Sequence, residues 1–482
     1  MRPSRFAAVP ILLVMLLAAG TACACTTIVV GRDASADGCV LVAHNEDDAP
    51  PEVVLHRKVP RRTHDAGARV RLSGGASLAQ AAGTWALLWS EMPGESYSDS
   101  YLNEWGVCLT SNNCPSREDR VDLTGGGIGK MLRRVVADRA KTAREGVRLA
   151  GELVERFGYQ APGRTLIIAD PREAWLLCLV RGRHWLAWRV PDGEVCVVAN
   201  SYVVREVDLG DAGRLLAAAD IADYAAERGW HDPAESFDFA RAYASPNAAE
   251  HPTNWGRQWA GLRLLAADPP AFGPDLPASV RPKRKLGVTD LMAALRDHYE
   301  GTDLAHPHPE TGDPHPGRPG TLCSAHTQTA FVAQLRTGEP RDLKLVYWVC
   351  LGRPCTGCFV PFHFGVPDFP AGWRAGGPDR PDPDTWRAWV APPFRPDAQA
   401  AYATALNFQV RVDGMYGQRI GALRDRLDGI EARAAWLQES FEDTARRLIR
   451  RDPDAATAML LDFSRGFHAA ALEAMSETLS EE

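Results

Sequence analysis

Residues 1–25 constrain this chain more than any later segment. The first 24 residues open with Arg2 and Arg5, continue through an apolar run from Ile11 to Leu17, and close on Ala22-Cys23-Ala24. A basic start, an apolar centre and a small-residue end form an export signal with an A-x-A cleavage site. Cleavage after Ala24 leaves Cys25 at the head of Thr26-Thr27-Ile28-Val29-Val30, a β-branched run that reads as a strand. The finished chain must then fold around its own first residue, which carries a thiol and a free α-amine on one carbon. An α-amine has a pKa of about 8, close enough to neutrality to accept a thiol proton. Nucleophile and base therefore share one residue. The expected location is the periplasm or the cell exterior, with signal peptidase as the maturation partner.

The apolar run is far short of the ~20 residues that span a bilayer, and no later stretch approaches that length, so no membrane span is expected. The formal charge is −7, and the leader carries two arginines and no acids, so the mature chain is more acidic still. That excludes a nucleic-acid surface, which needs a basic patch. Of eleven cysteines, setting aside Cys23 and Cys25 leaves an odd number, so a full set of internal disulfides is impossible.

The segment after Cys25 reads as a hairpin: Thr27–Val30, a turn-rich Asp33 to Gly38, then Cys39 to Ala43 running into His44-Asn45-Glu46-Asp47. Strands are expected at Thr84–Trp89, Val107–Ser111, Thr165–Ala169, Ala174–Val180, Trp185–Val190 and Val195–Ala199. Helices are expected at Gly127–Ala140, Ala143–Phe157 and Leu291–Tyr299. Residues 303–319 and 365–397, rich in Pro, Gly and Asp, read as long surface loops. Near the C-terminus, Ile420, Leu423, Leu427, Ile430, Ala434, Leu437, Phe441 and Leu448 keep near-heptad spacing up to Asp452-Pro453, and Met459, Phe463 and Phe467 follow. This predicts a helical hairpin packed on the main body.

Several residues have the chemistry to assist Cys25. His44-Asn45-Glu46-Asp47 closes the second predicted strand, where a carboxylate can hold the ammonium form of the α-amine. Asp47 is the choice for that role, with Glu46 and Asp48 pointing elsewhere or binding substrate; a solvated acidic turn is the plainer reading. Asn112-Asn113 and Asn200 end predicted strands, where rigid amides suit an oxyanion and equally suit turns. Cys350, Cys355 and Cys358 have the C-x4-C-x2-C spacing of an iron–sulfur site, but no fourth cysteine follows. His306, His308 and His315 alternate with proline and lack helical spacing, which reads as a solvated loop rather than a zinc site. No metal or cofactor is expected. A lipid anchor on Cys23 or Cys25 would block the amine or consume the thiol, and the leader lacks a good lipobox.

These segments together resemble the dipeptidase D family of cysteine peptidases. The resemblance rests on Cys25-Thr26-Thr27, Ala43-His44-Asn45-Glu46-Asp47, Gly125-Gly126-Gly127-Ile128-Gly129, Ile168 to Trp175, Arg296 to Thr302, and Gly352-Arg353-Pro354-Cys355-Thr356. It implies an α+β, four-layer αββα N-terminal nucleophile hydrolase fold, divided into a leader at 1–24, a hydrolase domain at 25–410 and a helical hairpin at 411–482. It implies hydrolysis of dipeptides through a thioester on Cys25, with no cofactor. The alternative is an acylase of non-peptide amides, of the penicillin V or bile salt type. By motif, Cys25 is similar to the nucleophile, Asp47 to the aspartate beside the α-amine, and Asn113 and Asn200 to the oxyanion and amine-positioning amides. His44, Asn45 and Glu46 are expected at the substrate. The relatives place Arg or Lys where this chain has His44. A histidine supports a thiolate only while protonated, so unusual pH sensitivity between 5.5 and 8 is expected. A homo-oligomer is compatible with all of this.

Overall fold

The computed structural model describes residues 25–48, 54–72, 75–91, 98–316, 320–338, 340–373 and 401–480. The expected leader and most of the 365–397 loop lie outside them. Two antiparallel sheets form the centre. The first has seven strands in the order Ser279–Val280, Val195–Val198, β1 (Thr26–Val30), β2 (Val40–Asp47), Thr327–Leu335, Leu345–Leu351 and Val360–His363. The second has eight, running from Leu215–Ala217 through Trp185–Arg189, Ala174–Gly182, Tyr159–Ala169, Cys108–Asn113, Ser98–Asn103 and Leu87–Glu91 to Leu55–Val59.

Alternation along each strand explains why the sheets stack and why helices cover them. Side chains two apart share a face, so Val29, Val40 and Val42 meet Cys108, Ile167 and Leu176 in the layer between the sheets. Their neighbours Ile28, Val30, Leu41 and Ala43 face outward, onto Leu262, Leu265, Leu291 and Leu295 of the Pro252–Leu265 and Val288–Leu295 helices. On the other side Leu109, Leu166, Ile168 and Leu177 pack under α1 (Met131–Arg139) and α2 (Ala143–Phe157). The result is the four-layer αββα arrangement. Covered on both faces, the Leu345-Val346-Tyr347-Trp348-Val349-Cys350-Leu351 strand is a continuous apolar run apart from the Tyr347 hydroxyl.

Local chemistry sets the helix ends. The α2 N-cap is Thr142, whose hydroxyl accepts from the Glu145 amide at 3.1 Å. Its stop is Gly158, at φ 76°. The helix expected from Gly127 instead begins at Met131, because Gly125, Gly126 and Gly127 all have positive φ. The C-terminal hairpin is present as Tyr416–Ile449 and Pro453–Ser480, preceded by the Ala401–Asp413 helix, which straddles the boundary expected at 410/411. Its most buried line is 423, 427, 431, 434, 438, 442 and 445, so it carries Glu431, Gln438 and Glu442 as well as apolar groups. Those polar side chains are satisfied by the body: Arg296 clasps Glu431 at 2.6 and 2.8 Å, and Gln438 donates to Gln334 at 2.8 Å. No helix among the described residues is long and apolar enough to cross a membrane.

Candidate active site

Cys25 immediately precedes β1, an interior strand flanked by Val195–Val198 and β2. The register Thr26↔Asn45 carries Cys25 alongside Glu46 and Asp47 at the far end of β2. The pleat divides the nearby residues between two layers. Thr27, His44 and Glu46 share the inter-sheet face with Val29, Val40 and Val42; Thr26, Asn45 and Asp47 share the helix-covered face.

On the inter-sheet side the Cys25 thiol, itself buried, donates to Glu46 Oε2 at 3.2 Å. His44 Nε2 lies 3.0 Å from the same Glu46 oxygen and 3.2 Å from Asp99 Oδ2, and its Nδ1 meets Thr27 Oγ1 at 2.8 Å. The Thr27 hydroxyl donates to Asn112 Oδ1 at 2.6 Å, and Asn112 Nδ2 donates to the Cys25 carbonyl at 2.9 Å and to Val198 O at 3.2 Å. Asp99 also accepts from Arg133 Nη1 at 2.7 Å and from Ser111 at 3.1 Å, and Arg164 donates to that serine at 2.9 Å. The thiol thus heads a polar chain, buried except at Arg164, in which three cations (His44, Arg133, Arg164) face two carboxylates (Glu46, Asp99).

The charges perturb one another strongly. Burial works against a charged His44, yet hydrogen bonds and charges from Asp99 and Glu46 raise it to about 9. Burial and the Asp99 charge raise Glu46 to about 7, against the pull of His44 and Cys25. Asp99 is held below the usual carboxylate range: burial opposes this, but His44 and Arg133 outweigh it. His44 is therefore cationic across the neutral range. His44 is thus not the group that titrates between pH 5.5 and 8, because a second anion, Asp99, arrives from the other sheet.

On the other face Arg257 bridges three elements. Its guanidinium donates to the Cys25 carbonyl at 2.8 Å, to Thr26 Oγ1 at 2.9 Å and to Asn200 Oδ1 at 2.6 Å. Asn200 Nδ2 is left buried with no hydrogen-bond partner among the described residues. Asp47 accepts from Thr327 at 2.6 Å through Oδ1, while Oδ2 is buried with no hydrogen-bond partner among the described residues. Burial raises Asp47 to about 6, against Thr327 and Arg257.

Three placements differ from expectation. The amide that reaches Cys25 is Asn112, not Asn113. Successive residues of a strand face opposite ways, and Asn113 makes no side-chain hydrogen bond among the described residues. Asn45, expected at the substrate, spends both amide protons on Leu295 O and Leu322 O at 2.9 and 2.8 Å and so ties down the end of the Val288–Leu295 helix and the segment before Cys323. Glu46, also expected at the substrate, is buried between the thiol and His44. Sequence reasoning missed Asp99, Arg133, Arg164 and Arg257, which are remote in the chain. The one available signal was Asp99, an acid between two serines in the Ser98–Asn103 strand.

The model of peptidase family C69 matches residues 24–68 and 120–391. The chain belongs to peptidase family C69. The first matched segment holds Cys25 and the His44–Asp47 run, the second Arg164, Asn200 and Arg257; Asp99 and Asn112 fall between them. The chain is 28% identical over 396 residues to a dipeptidase of Bifidobacterium longum, covering 72% of each. It is 28% identical over 380 residues to a probable dipeptidase of Salmonella dublin, covering 74% of this chain and 85% of that one. Among solved structures, a mutant conjugated bile acid hydrolase from Clostridium perfringens aligns over 68% of this chain and 89% of its own, with 13% identity and a TM-score of 0.33. That likeness is too weak to bear on this C69 member's chemistry.

Proposed function

We propose that this protein is an exported dipeptidase that becomes active when residues 1–24 are removed and Cys25 becomes the first residue. The observation that carries the reading is the position of Cys25: a buried thiol at the head of an interior strand, hydrogen-bonded to Glu46 and held through its carbonyl by Asn112 and Arg257. Membership of family C69 and the dipeptidase relatives support the substrate class.

In the proposed reaction the α-amine of Cys25 takes the thiol proton and the sulfur attacks the peptide carbonyl. Asn200 Nδ2, a buried donor without a partner among the described residues, stabilises the oxyanion, a contribution of about 3 kcal/mol for a well-placed donor. The carbon–nitrogen bond breaks as the ammonium returns its proton to the leaving amino acid. Water then attacks the thioester with the amine again as base, releasing the second amino acid and restoring the thiol. Asp47 holds the ammonium form between these steps. His44, kept cationic by Asp99, offsets the negative charge on sulfur.

The test is the mature chain beginning at Cys25, assayed on a panel of dipeptides and on penicillin V, beside Cys25→Ser and a form bearing one extra N-terminal residue. Dipeptide hydrolysis by the mature chain alone is expected. Full activity in the extended form, or turnover of penicillin V without dipeptides, overturns the reading.

A further inference from the structure

The structure brings one residue from each of the two dismissed metal patterns together with two that neither pattern contained. His298 follows the Val288–Leu295 helix, His315 lies in the 303–319 loop, Cys323 precedes the Thr327–Leu335 strand, and Cys355 follows Leu345–Leu351. One ligand atom from each lies within 4.8 Å of all the others, and all four residues are buried. His315 is not the solvated loop residue its sequence neighbours suggest. Its Nε2 is 3.4 Å from Cys355 Sγ and 4.0 Å from Cys323 Sγ. Around a tetrahedral zinc ion, with Zn–S about 2.3 Å and Zn–N about 2.0–2.1 Å, ligand atoms stand roughly 3.3–3.8 Å apart. The cluster is within about 1 Å of that size, a gap that small side-chain shifts would close.

Two further observations point inward. His298 Nε2 is buried and has no hydrogen-bond partner among the described residues. The opposite ring nitrogens are both occupied by carboxylates: His298 Nδ1 meets Glu300 Oε1 at 2.8 Å, and His315 Nδ1 meets Asp313 Oδ1. A carboxylate on one ring nitrogen fixes the tautomer and presents the other nitrogen's lone pair to an ion. Arg353 stands beside the cluster, paired with Asp413 at 2.6 and 2.8 Å, where its positive charge would offset the thiolates.

We propose that His298, His315, Cys323 and Cys355 bind one structural zinc ion. Two thiolates and two imidazoles are a soft, tetrahedral donor set that suits Zn²⁺. Four buried protein ligands leave no open position for substrate, so the role is structural. Binding replaces the two thiol protons, which leave to solvent. The ion ties residues 303–316, which form no helix or strand, to the sheet and to the base of the C-terminal helices. It also braces the candidate active site. Leu322, beside Cys323, accepts from Asn45, and Thr327, four residues on, holds Asp47.

The test uses the full chain expressed with zinc in the medium and purified without chelator. Elemental analysis is expected to give close to one zinc per chain, unchanged in His308→Gln, an exposed histidine of the same loop, and lost in Cys355→Ser and His298→Gln. Because those variants can fail to fold, the wild type supplies a second readout. Cys323 and Cys355 should resist alkylation, mapped by peptide mass spectrometry, until a strong chelator is added. Cobalt in place of zinc should give tetrahedral visible absorption with a thiolate-to-cobalt charge-transfer band. Zinc-free native protein, a Cys323–Cys355 disulfide, or zinc retained by folded Cys355→Ser overturns the proposal.

Discussion

Replacing His44 with glutamine tests how the thiol is tuned. Cys25, His44 and Glu46 present atoms within 4.8 Å of one another, so the imidazolium acts on the sulfur at contact range. At that distance and an effective dielectric constant of about 20, one unit charge stabilises a thiolate by about 3.5 kcal/mol, roughly 300-fold in its population. The comparison belongs at pH 6. Glu46, raised to about 7, is then mostly protonated in the wild type and more so in the variant, so the lost cation is the main difference. The rate of Cys25 alkylation by iodoacetamide and kcat/KM on a dipeptide, both on the mature chain, are expected to fall by one to two orders of magnitude or more. His44→Lys should restore most of the loss. The wild type should show no decline from His44 between pH 5.5 and 8, because a group held at about 9 loses its proton only above that window. Alkylation of His44→Gln within threefold of wild type at pH 6 would refute the reasoning.

Three other outcomes are expected. Asn200→Ala should lower kcat by about 10²–10³-fold with a smaller change in KM, as loss of an oxyanion donor does; a kcat within fivefold of wild type would remove Asn200 from that role. Burial opposes the charge of Glu442, but His363 and Arg336 hold its carboxyl down at about 2. A depressed acid stabilises the fold above its unfolded value and loses that contribution as pH falls. Glu442→Gln should therefore cost about 3 kcal/mol at pH 7 in urea denaturation, with the gap closing between pH 4.5 and 2. A gap independent of pH would contradict the hairpin contact as drawn. Gly151→Ala, which helix propensity alone would favour by ~1 kcal/mol, should instead destabilise by about 1–3 kcal/mol. The added methyl would sit 2.2 Å from the Trp185 ring, and a thermal-melt rise in that variant would show that the ring gives way.

What the sequence by itself determined lies in local patterns. β-branched runs and turn residues place the β1–β2 hairpin, apolar periodicity places α2 at Ala143–Phe157, and heptad spacing gives the C-terminal hairpin. The expected role of Cys25 comes from its place after a leader-like segment. These readings depend on neighbours along the chain, so a linear string carries them. The heptad line misled only where polar residues occupy it. Glu431, Gln438 and Glu442 look like surface until Arg296, Gln334 and Arg336 are brought opposite. Tertiary structure alone decided the charge state of His44, because its second anion, Asp99, belongs to the other sheet. The pleat of Cys108–Asn113 likewise decided that Asn112 rather than Asn113 meets Cys25. The same holds for His298, His315, Cys323 and Cys355, whose spacings of 17, 8 and 32 residues match no short motif. Burial and Coulomb interactions depend on distance in space, and only the closed fold sets those distances.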